Sequence, residues 1–489
     1  MMPANQPETK WIESWSVVAA TLVGAALRLY QLGSASLWLD EAYTYFFVTG
    51  PFINGWRALL DIGNHPPFFY LIDRVSASFT HSEFGLRLPA ALAGLLAIPA
   101  IYRFVRAWGN RQAAPLAAWL LALNPFTLWY ARDARPNTLN LFLVILMAWL
   151  FAKLYRHFTW SRWIGFVILC GLSYLTHYFS TLFALACACF LIARLKRDYL
   201  FFRWWTLSQF AAVVLISPWF IFWILHPVHS LGIGWIPQPR LIDLPLTLFN
   251  LATGWDEHLT LSVASAGAVW GLGIILALHT GLPLSRREVQ RRERGAGGEV
   301  QWLGLTLTWL VVPIIAIFLF SFRRPLYVDR YFIVLLPPLI LLAVMGLTAL
   351  PNSWRIGLSL ALLASQLITS LALITSNTYA KEDWRSAATF LRERRQASEQ
   401  VLLLDQQDLL PLAYYGLKIQ SVTQVTQPLP DSFWTVVRDP RESAHRFSEY
   451  DDAIIPSEVS QWLTDNHYTL SQQKLFSGLQ LIYLIHLKP

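Results

Sequence analysis

Two adjacent carboxylates, Asp40 and Glu41, stand in Leu37-Trp38-Leu39-Asp40-Glu41-Ala42-Tyr43, just past the first long apolar run, Trp15 to Leu32. An acid at a membrane edge is stable only where it is solvated, paired or engaged in chemistry. A carboxylate there can take the proton of an incoming hydroxyl as general base, or hold a divalent cation. Neighbouring helix residues point about 100° apart, so the two acids need not serve one atom: one can act on an acceptor while the other holds the loop. A solvated interfacial loop is the plain alternative. Further along comes Asn64-His65-Pro66-Pro67-Phe68-Phe69-Tyr70, where His65 is either structural or a substrate contact.

Two arginine-rich turns complete the set. Tyr130-Ala131-Arg132-Asp133-Ala134-Arg135-Pro136-Asn137 lies between two apolar runs, and Phe322-Arg323-Arg324-Pro325-Leu326-Tyr327-Val328-Asp329-Arg330-Tyr331 stands at the entrance to another. Guanidinium suits phosphate geometry. Arg132, Arg135, Arg324 and Arg330, with Tyr331, are therefore candidates for capturing an anion, which at headgroup level is most simply a lipid phosphate or pyrophosphate. Pairing with Asp133 or with the Asp40 loop is the structural alternative. His177 is a weaker candidate than His65.

The elements that must position these residues are membrane helices. The chain has 489 residues, 55% hydrophobic and 14% charged, with mean hydropathy +0.42. Soluble domains carry nearer a quarter charged residues. A span needs about 20 apolar residues, and windows of that length recur at 14–32, 86–105, 113–130, 137–154, 163–177, 179–195, 207–225, 260–280, 301–322, 331–350 and 355–376. That predicts about eleven spans. The run through Thr176-His177-Tyr178-Phe179-Ser180 is read as a tight hairpin, with one over-long helix as the alternative. The 23 Trp and 18 Tyr suit interfacial belts. Cys170, Cys187 and Cys189 lie inside apolar runs without metal-ligand partners at useful spacing, so neither a disulfide framework nor a zinc site is expected.

Basic residues favour the cytoplasmic side. The clusters at Arg194–Arg203 and Arg286–Arg294 then place the amino terminus inside and the Asp40 loop outside. The net charge of +8 reads as membrane topology and not as nucleic-acid binding. The first span is expected to be retained. The Ser285–Val300 segment reads as a flexible linker, and the loop from His226 to His258, with Gly232-Ile233-Gly234-Trp235-Ile236-Pro237, as either a lid or a membrane-resting loop. The first outer loop, 33–85, is too long for a simple connector, and short interfacial helices are expected over Asp40–Val48 and Gly55–Leu60. The expected organisation is a transmembrane part, 1–376, and a small extracytoplasmic α/β domain, 377–489. That tail reads as helix at Lys381–Gln396 and Asp408–Tyr415, and as strand at Gln400–Leu404, Phe433–Val437 and Leu479–Leu487. It contains no glycine-rich phosphate loop, and no internal repeat suggests the paired halves of a transporter.

In order along the chain, Leu37-Trp38-Leu39-Asp40-Glu41-Ala42, His65-Pro66-Pro67-Phe68-Phe69-Tyr70, Arg87-Leu88-Pro89, Tyr130-Ala131-Arg132-Asp133-Ala134-Arg135 and Asp329-Arg330-Tyr331 resemble the polytopic GT-C glycosyltransferases. More closely, they resemble the bacterial branch related to protein O-mannosyltransferases and lipid A aminoarabinose transferases. The resemblance implies a polyprenyl-phosphate sugar donor and a glycan, lipid or protein acceptor at the outer face of the plasma (inner) membrane. It makes Asp40 the base on the acceptor, Glu41 the second acid of the pair, and Arg132, Arg135 and Arg330 phosphate contacts. The second Asp-x-Asp of metal-dependent members is absent from the outer loops, so no cofactor is expected. A single displacement implies inversion at the anomeric carbon. A flippase of lipid-linked sugars and a non-catalytic assembly subunit remain the competing readings; the first predicts ionisable residues near the bilayer midplane, for which Arg28 is the candidate.

Overall fold

The computed structural model describes residues 7–62, 65–108, 110–226, 236–254, 260–281, 299–375, 381–396, 399–403, 405–417, 419–421, 430–438, 457–477 and 479–486. Most of the Ser285–Val300 linker and the Gly232–Trp235 part of the second long loop lie outside them. The chain divides into two compact units, one of Met1–Tyr30, Trp56–Ile72 and Leu88–Ala372, the other of Gln31–Gly55, Asp73–Arg87 and Leu373–Pro489.

Among the described residues, eight helices are long and apolar enough to cross a membrane: Trp11–Leu29, Glu83–Trp108, Asn137–Arg156, Leu195–Leu225, Leu261–Thr280, Trp302–Ser321, Asp329–Thr348 and Asn352–Thr375. The protein is a polytopic helical membrane protein. The other three expected runs form shorter helices. Run 113–130 is two, Ala114–Leu123 and Pro125–Ala131. Pro125 has no N–H to continue the first, and the Asn124 side chain starts the second by accepting from Thr127 N at 2.9 Å. Run 163–177 is the 15-residue helix Trp160–Tyr174. The break expected at Thr176–Ser180 is present: His177 is extended, and a 3₁₀ turn, Tyr178–Ser180, leads into Thr181–Ala193.

That Pro125 break explains Arg28. It sits in the first helix (α1, Pro7–Leu29) and is fully buried. Its guanidinium donates to Ala122 O at 2.9 Å and Leu121 O at 3.1 Å. These are carbonyls at the end of Ala114–Leu123, which lack helical partners. Arg28 therefore satisfies a buried helix end, and the midplane-charge argument for a transporter loses its candidate. Helices Leu261–Gly281 and Leu336–Thr348 cross backbone to backbone, and a β-carbon on Gly346 would collide with the Gly273 carbonyl. Such close crossings are how small residues hold membrane helices together. Gly346→Val is expected to separate them, costing about 2–3 kcal/mol, read as a lower thermal midpoint in detergent; an unchanged midpoint would contradict the crossing.

The Gln31–Gly55 segment of the second unit contains α2 (Leu39–Thr49). The helices α3 (Phe52–Ile62), α4 (Phe68–Ala77) and α5 (Glu83–Trp108) follow along the chain. The C-terminal part holds a five-stranded sheet in the order β2-β1-β3-β5-β4, with β1 Gln400–Leu403, β2 Gln420–Ser421, β3 Ser432–Arg438, β4 Tyr468–Phe476 and β5 Leu479–His486. β1 runs parallel to β2 and β3; β3, β5 and β4 are antiparallel. Central β3 is buried from Phe433 to Val437, as expected of a strand covered on both faces. Trp434 and Val436 pack with Trp384, Leu391, Val401 and Leu412, while Phe433 and Val437 pack with Leu402, Leu463, Ile482 and Leu484. β4 was not expected from the sequence. It is an edge strand whose side chains from Thr469 to Leu475 are exposed, so its sequence has no alternating apolar signal.

Candidate active site

In the second unit, the first turn of α2 separates the two acids. Asp40 is half-buried, whereas Glu41 is fully buried. Glu41 is gripped by Arg87, whose Nε donates to Oε1 at 2.7 Å and Nη2 to Oε2 at 2.6 Å. This is the two-pronged geometry that guanidinium offers a carboxylate. Lys381 Nζ lies 3.3 Å from Glu41 Oε1, and Trp38 N donates to Oε2 at 3.5 Å. Arg87 also donates to the carbonyls of Leu32, Ala35 and Ser36 at 2.8–3.0 Å, fixing the chain that enters α2. Glu41 is thus held between two cations, and Asp40 is the acid of the pair with access to solvent.

Further groups pin α2. At its C-terminal end, Arg74 donates to Val48 O at 3.2 Å and Gly50 O at 2.8 Å. At its start, Leu39 N donates to Glu382 Oε2 at 3.3 Å and Leu37 N to Tyr415 Oη at 2.8 Å. Asp73 of α4 is fully buried, and among the described residues neither of its oxygens has a hydrogen-bond partner. Burial and then the Glu41 charge push its carboxyl well above the usual range. Asp73 is therefore neutral and adds no further negative charge beside Glu41.

The first unit holds a cluster of cationic and imidazole groups. Phe68 N donates to Leu175 O at 2.8 Å, which ties the His65-Pro66-Pro67 turn to the end of Trp160–Tyr174. The His65 and His177 rings stand 5.3 Å apart, and His177 is 5.3 Å from the Tyr331 ring. Arg135 Nη2 donates to His65 Nε2 at 2.6 Å, and the Arg330 guanidinium lies 5.6 Å from the Tyr331 ring centre. Asp329 sets the Asp-Arg-Tyr turn in place by accepting from Thr247 Oγ1 at 2.5 Å and Asn250 Nδ2 at 2.6 Å.

Guanidinium can only donate, so His65 Nε2 is an acceptor and Nδ1 carries the proton. Burial first, and then Arg135, His177 and Arg330, hold His65 well below the usual imidazole range, so the ring is neutral. His177 Nδ1 accepts from Phe179 N at 3.2 Å, which leaves its proton on Nε2. Both remaining N–H groups, His65 Nδ1 and His177 Nε2, are buried without a hydrogen-bond partner among the described residues. A buried donor without an acceptor is costly. Two such donors beside two arginines suit an anion with several oxygens.

The structure therefore brings His65, Arg135, Arg330 and Tyr331 together, and adds His177. Its one sequence signal is that it interrupts an otherwise continuous apolar run. Arg132 turns elsewhere, donating to Leu27 O at 3.2 Å and Tyr30 O at 2.6 Å, where it caps the α1 carboxyl end. Arg324 is exposed at the end of Glu299–Ser321, and no described interaction links it to this cluster. Among the described residues, no group of three or more His, Cys, Asp or Glu side chains could hold a metal ion.

Residues 64–223 match the family model described as dolichyl-phosphate-mannose-protein mannosyltransferase. The matched stretch includes His65, Arg135 and His177 and stops short of Asp40 and Arg330. The Bacillus subtilis (strain 168) protein named "Putative mannosyltransferase YkcB" is 26% identical over 147 residues, 28% of this chain and 20% of that protein. The chain thus matches about a fifth of that curated relative's length. Among solved structures, apo ArnT from Cupriavidus metallidurans is similar with TM-score 0.60 at 14% identity over 98% of both chains. The same protein bound to undecaprenyl phosphate gives 0.57 at 14%, over 97% of this chain and 98% of that one. The Archaeoglobus fulgidus oligosaccharyltransferase AglB, solved with an inhibitory peptide and a dolichol-phosphate, gives 0.51 at 14%, over 86% of this chain and 65% of AglB. At these identities the likeness is one of fold.

Proposed function

Because this chain has the fold of the GT-C glycosyltransferases, we propose that it transfers a sugar from a polyprenyl phosphate to a hydroxyl of an envelope acceptor on the outer face of the membrane. The observation that carries this reading is the cluster in the first unit: two buried imidazole N–H groups without described partners, with Arg135 and Arg330 beside them. That is the arrangement a phosphate leaving group needs, since charge grows on its oxygens as the glycosidic bond breaks. ArnT with undecaprenyl phosphate and AglB with dolichol-phosphate support a lipid-linked phosphate here. Asp40 takes the proton of the acceptor hydroxyl, the oxygen bonds to the anomeric carbon, and the sugar–phosphate C–O bond breaks to release polyprenyl phosphate. One displacement inverts the anomeric centre. Asp40 then returns its proton to water. The amino terminus is cytoplasmic, and Asp40 and the sheet domain are extracytoplasmic.

The phosphate cluster is tested through the donor. In nanodiscs, with polyprenyl-phosphate sugars and an envelope acceptor fraction, His177→Phe and His65→Phe are each expected to raise the donor KM about 10- to 100-fold, the loss of one hydrogen bond to a charged oxygen. Donor KM values unchanged in both would move the phosphate elsewhere.

A further inference from the structure

Beyond the roles already given to Asp40 and the phosphate cluster, the contacts at the start of α2 bear on the C-terminal segment. We propose that Glu382 is a positioning residue for Asp40, so that this segment is a working part of the transfer reaction; the inference rests on Asp40 being the base.

A helix begins with N–H groups that have no helical partner, and the residue before it normally supplies a side-chain acceptor. Before α2 that residue is Trp38, whose indole only donates. The acceptor comes instead from far along the chain. Leu39 N, immediately before Asp40, donates to Glu382 Oε2 at 3.3 Å, and the same oxygen accepts from Trp384 Nε1. Trp384 is fully buried in the core beside the sheet, so Glu382 is held by a rigid neighbour.

The same segment grips the residues on either side. Arg385 N donates to Ser36 Oγ at 3.1 Å, and Arg385 Nη1 to Ser34 O at 2.8 Å. Tyr415 Oη accepts from Leu37 N at 2.8 Å and donates to Glu83 Oε1 at 3.0 Å. Lys381 reaches Glu41. The backbone at positions one, three and six before Asp40, the Ser36 side chain four before it, and the Glu41 side chain one after it are thus held by residues 381–415. Asp40 itself stays half-buried. A general base must meet the acceptor proton at hydrogen-bond distance, and small displacements of a reacting group are expensive. Of these contacts, the Glu382 bond is the one to the backbone amide of the residue before Asp40.

The test uses the full-length protein in nanodiscs, following polyprenyl phosphate release per folded molecule. Glu382→Gln keeps an acceptor oxygen of the same reach. Glu382→Asp keeps the charge but withdraws the oxygen by one methylene, and Glu382→Ala removes it. Glu382→Asp and Glu382→Ala are expected to lower kcat about 10- to 100-fold, with the donor KM within about two-fold of wild type. Glu382→Gln is expected to stay within about three-fold in kcat. A defect confined to folding would lower the yield of folded protein and leave kcat per folded molecule unchanged. Equal kcat in wild type, Glu382→Gln and Glu382→Asp overturns the proposal, as does a Glu382→Gln defect as deep as that of Glu382→Asp. Asp40→Asn in the same assay separates the two readings. Full activity there removes the base and this inference with it, while an inactive Asp40→Asn beside normal Glu382 variants removes only the inference.

Discussion

Asp40→Asn is expected to lower turnover about 10²- to 10⁴-fold, the usual contribution of a positioned general base, while the donor KM and the thermal midpoint stay near wild type. The substitution keeps the shape of the side chain and removes its basicity. Asp40 is half-buried, whereas Glu41 is sealed between Arg87 and Lys381. The measurement is release of free polyprenyl phosphate by mass spectrometry in nanodiscs. A fully active Asp40→Asn would overturn its role as base. A parallel loss of folded protein would instead assign Asp40 to the scaffold.

Arg87→Ala is expected to cost about 3–5 kcal/mol of stability, the penalty for leaving a buried charge without its partner. Glu41 and Arg87 are 0% and 1% exposed, so water cannot replace the lost guanidinium. Lys381 remains near Glu41 Oε1 at 3.3 Å, but the carbonyls of Leu32 and Ser36 lose their donor as well. Tryptophan fluorescence during thermal unfolding in detergent gives the readout. The double variant Glu41→Gln with Arg87→Met should recover part of the loss, because it removes both buried charges together. A single variant with an unchanged midpoint would mean that the pair does not hold this loop.

The two predictions separate acids that stand side by side in the chain, and that separation was beyond the sequence. Helix phase shows that Asp40 and Glu41 point in different directions. It cannot show which direction meets Arg87, 46 residues on, and Lys381. The arginines of one short turn divide in the same way. Arg132 caps the end of α1 and Arg135 meets His65, although both read from sequence as anion ligands. His177 signals itself in sequence only by interrupting an apolar run, which does not tell a ligand from a turn. Its importance comes from a ring 5.3 Å away that belongs to a different loop.

What the sequence determined by itself was set by local physics. A long apolar run must cross the membrane as a helix, since no water is there to satisfy its backbone. Alternating or continuous apolar stretches mark β1, β3 and β5. The acid pair and the arginine turns are visible as charges where apolar chain would be cheaper. Tertiary structure decided the rest: which carboxylate is sealed, which arginines satisfy helix ends, which imidazole protons lack described partners, and that Glu382 caps a helix whose own preceding residue cannot. Each depends on partners brought together by folding, and the free energy of a buried polar group is set by those partners and not by its neighbours in sequence.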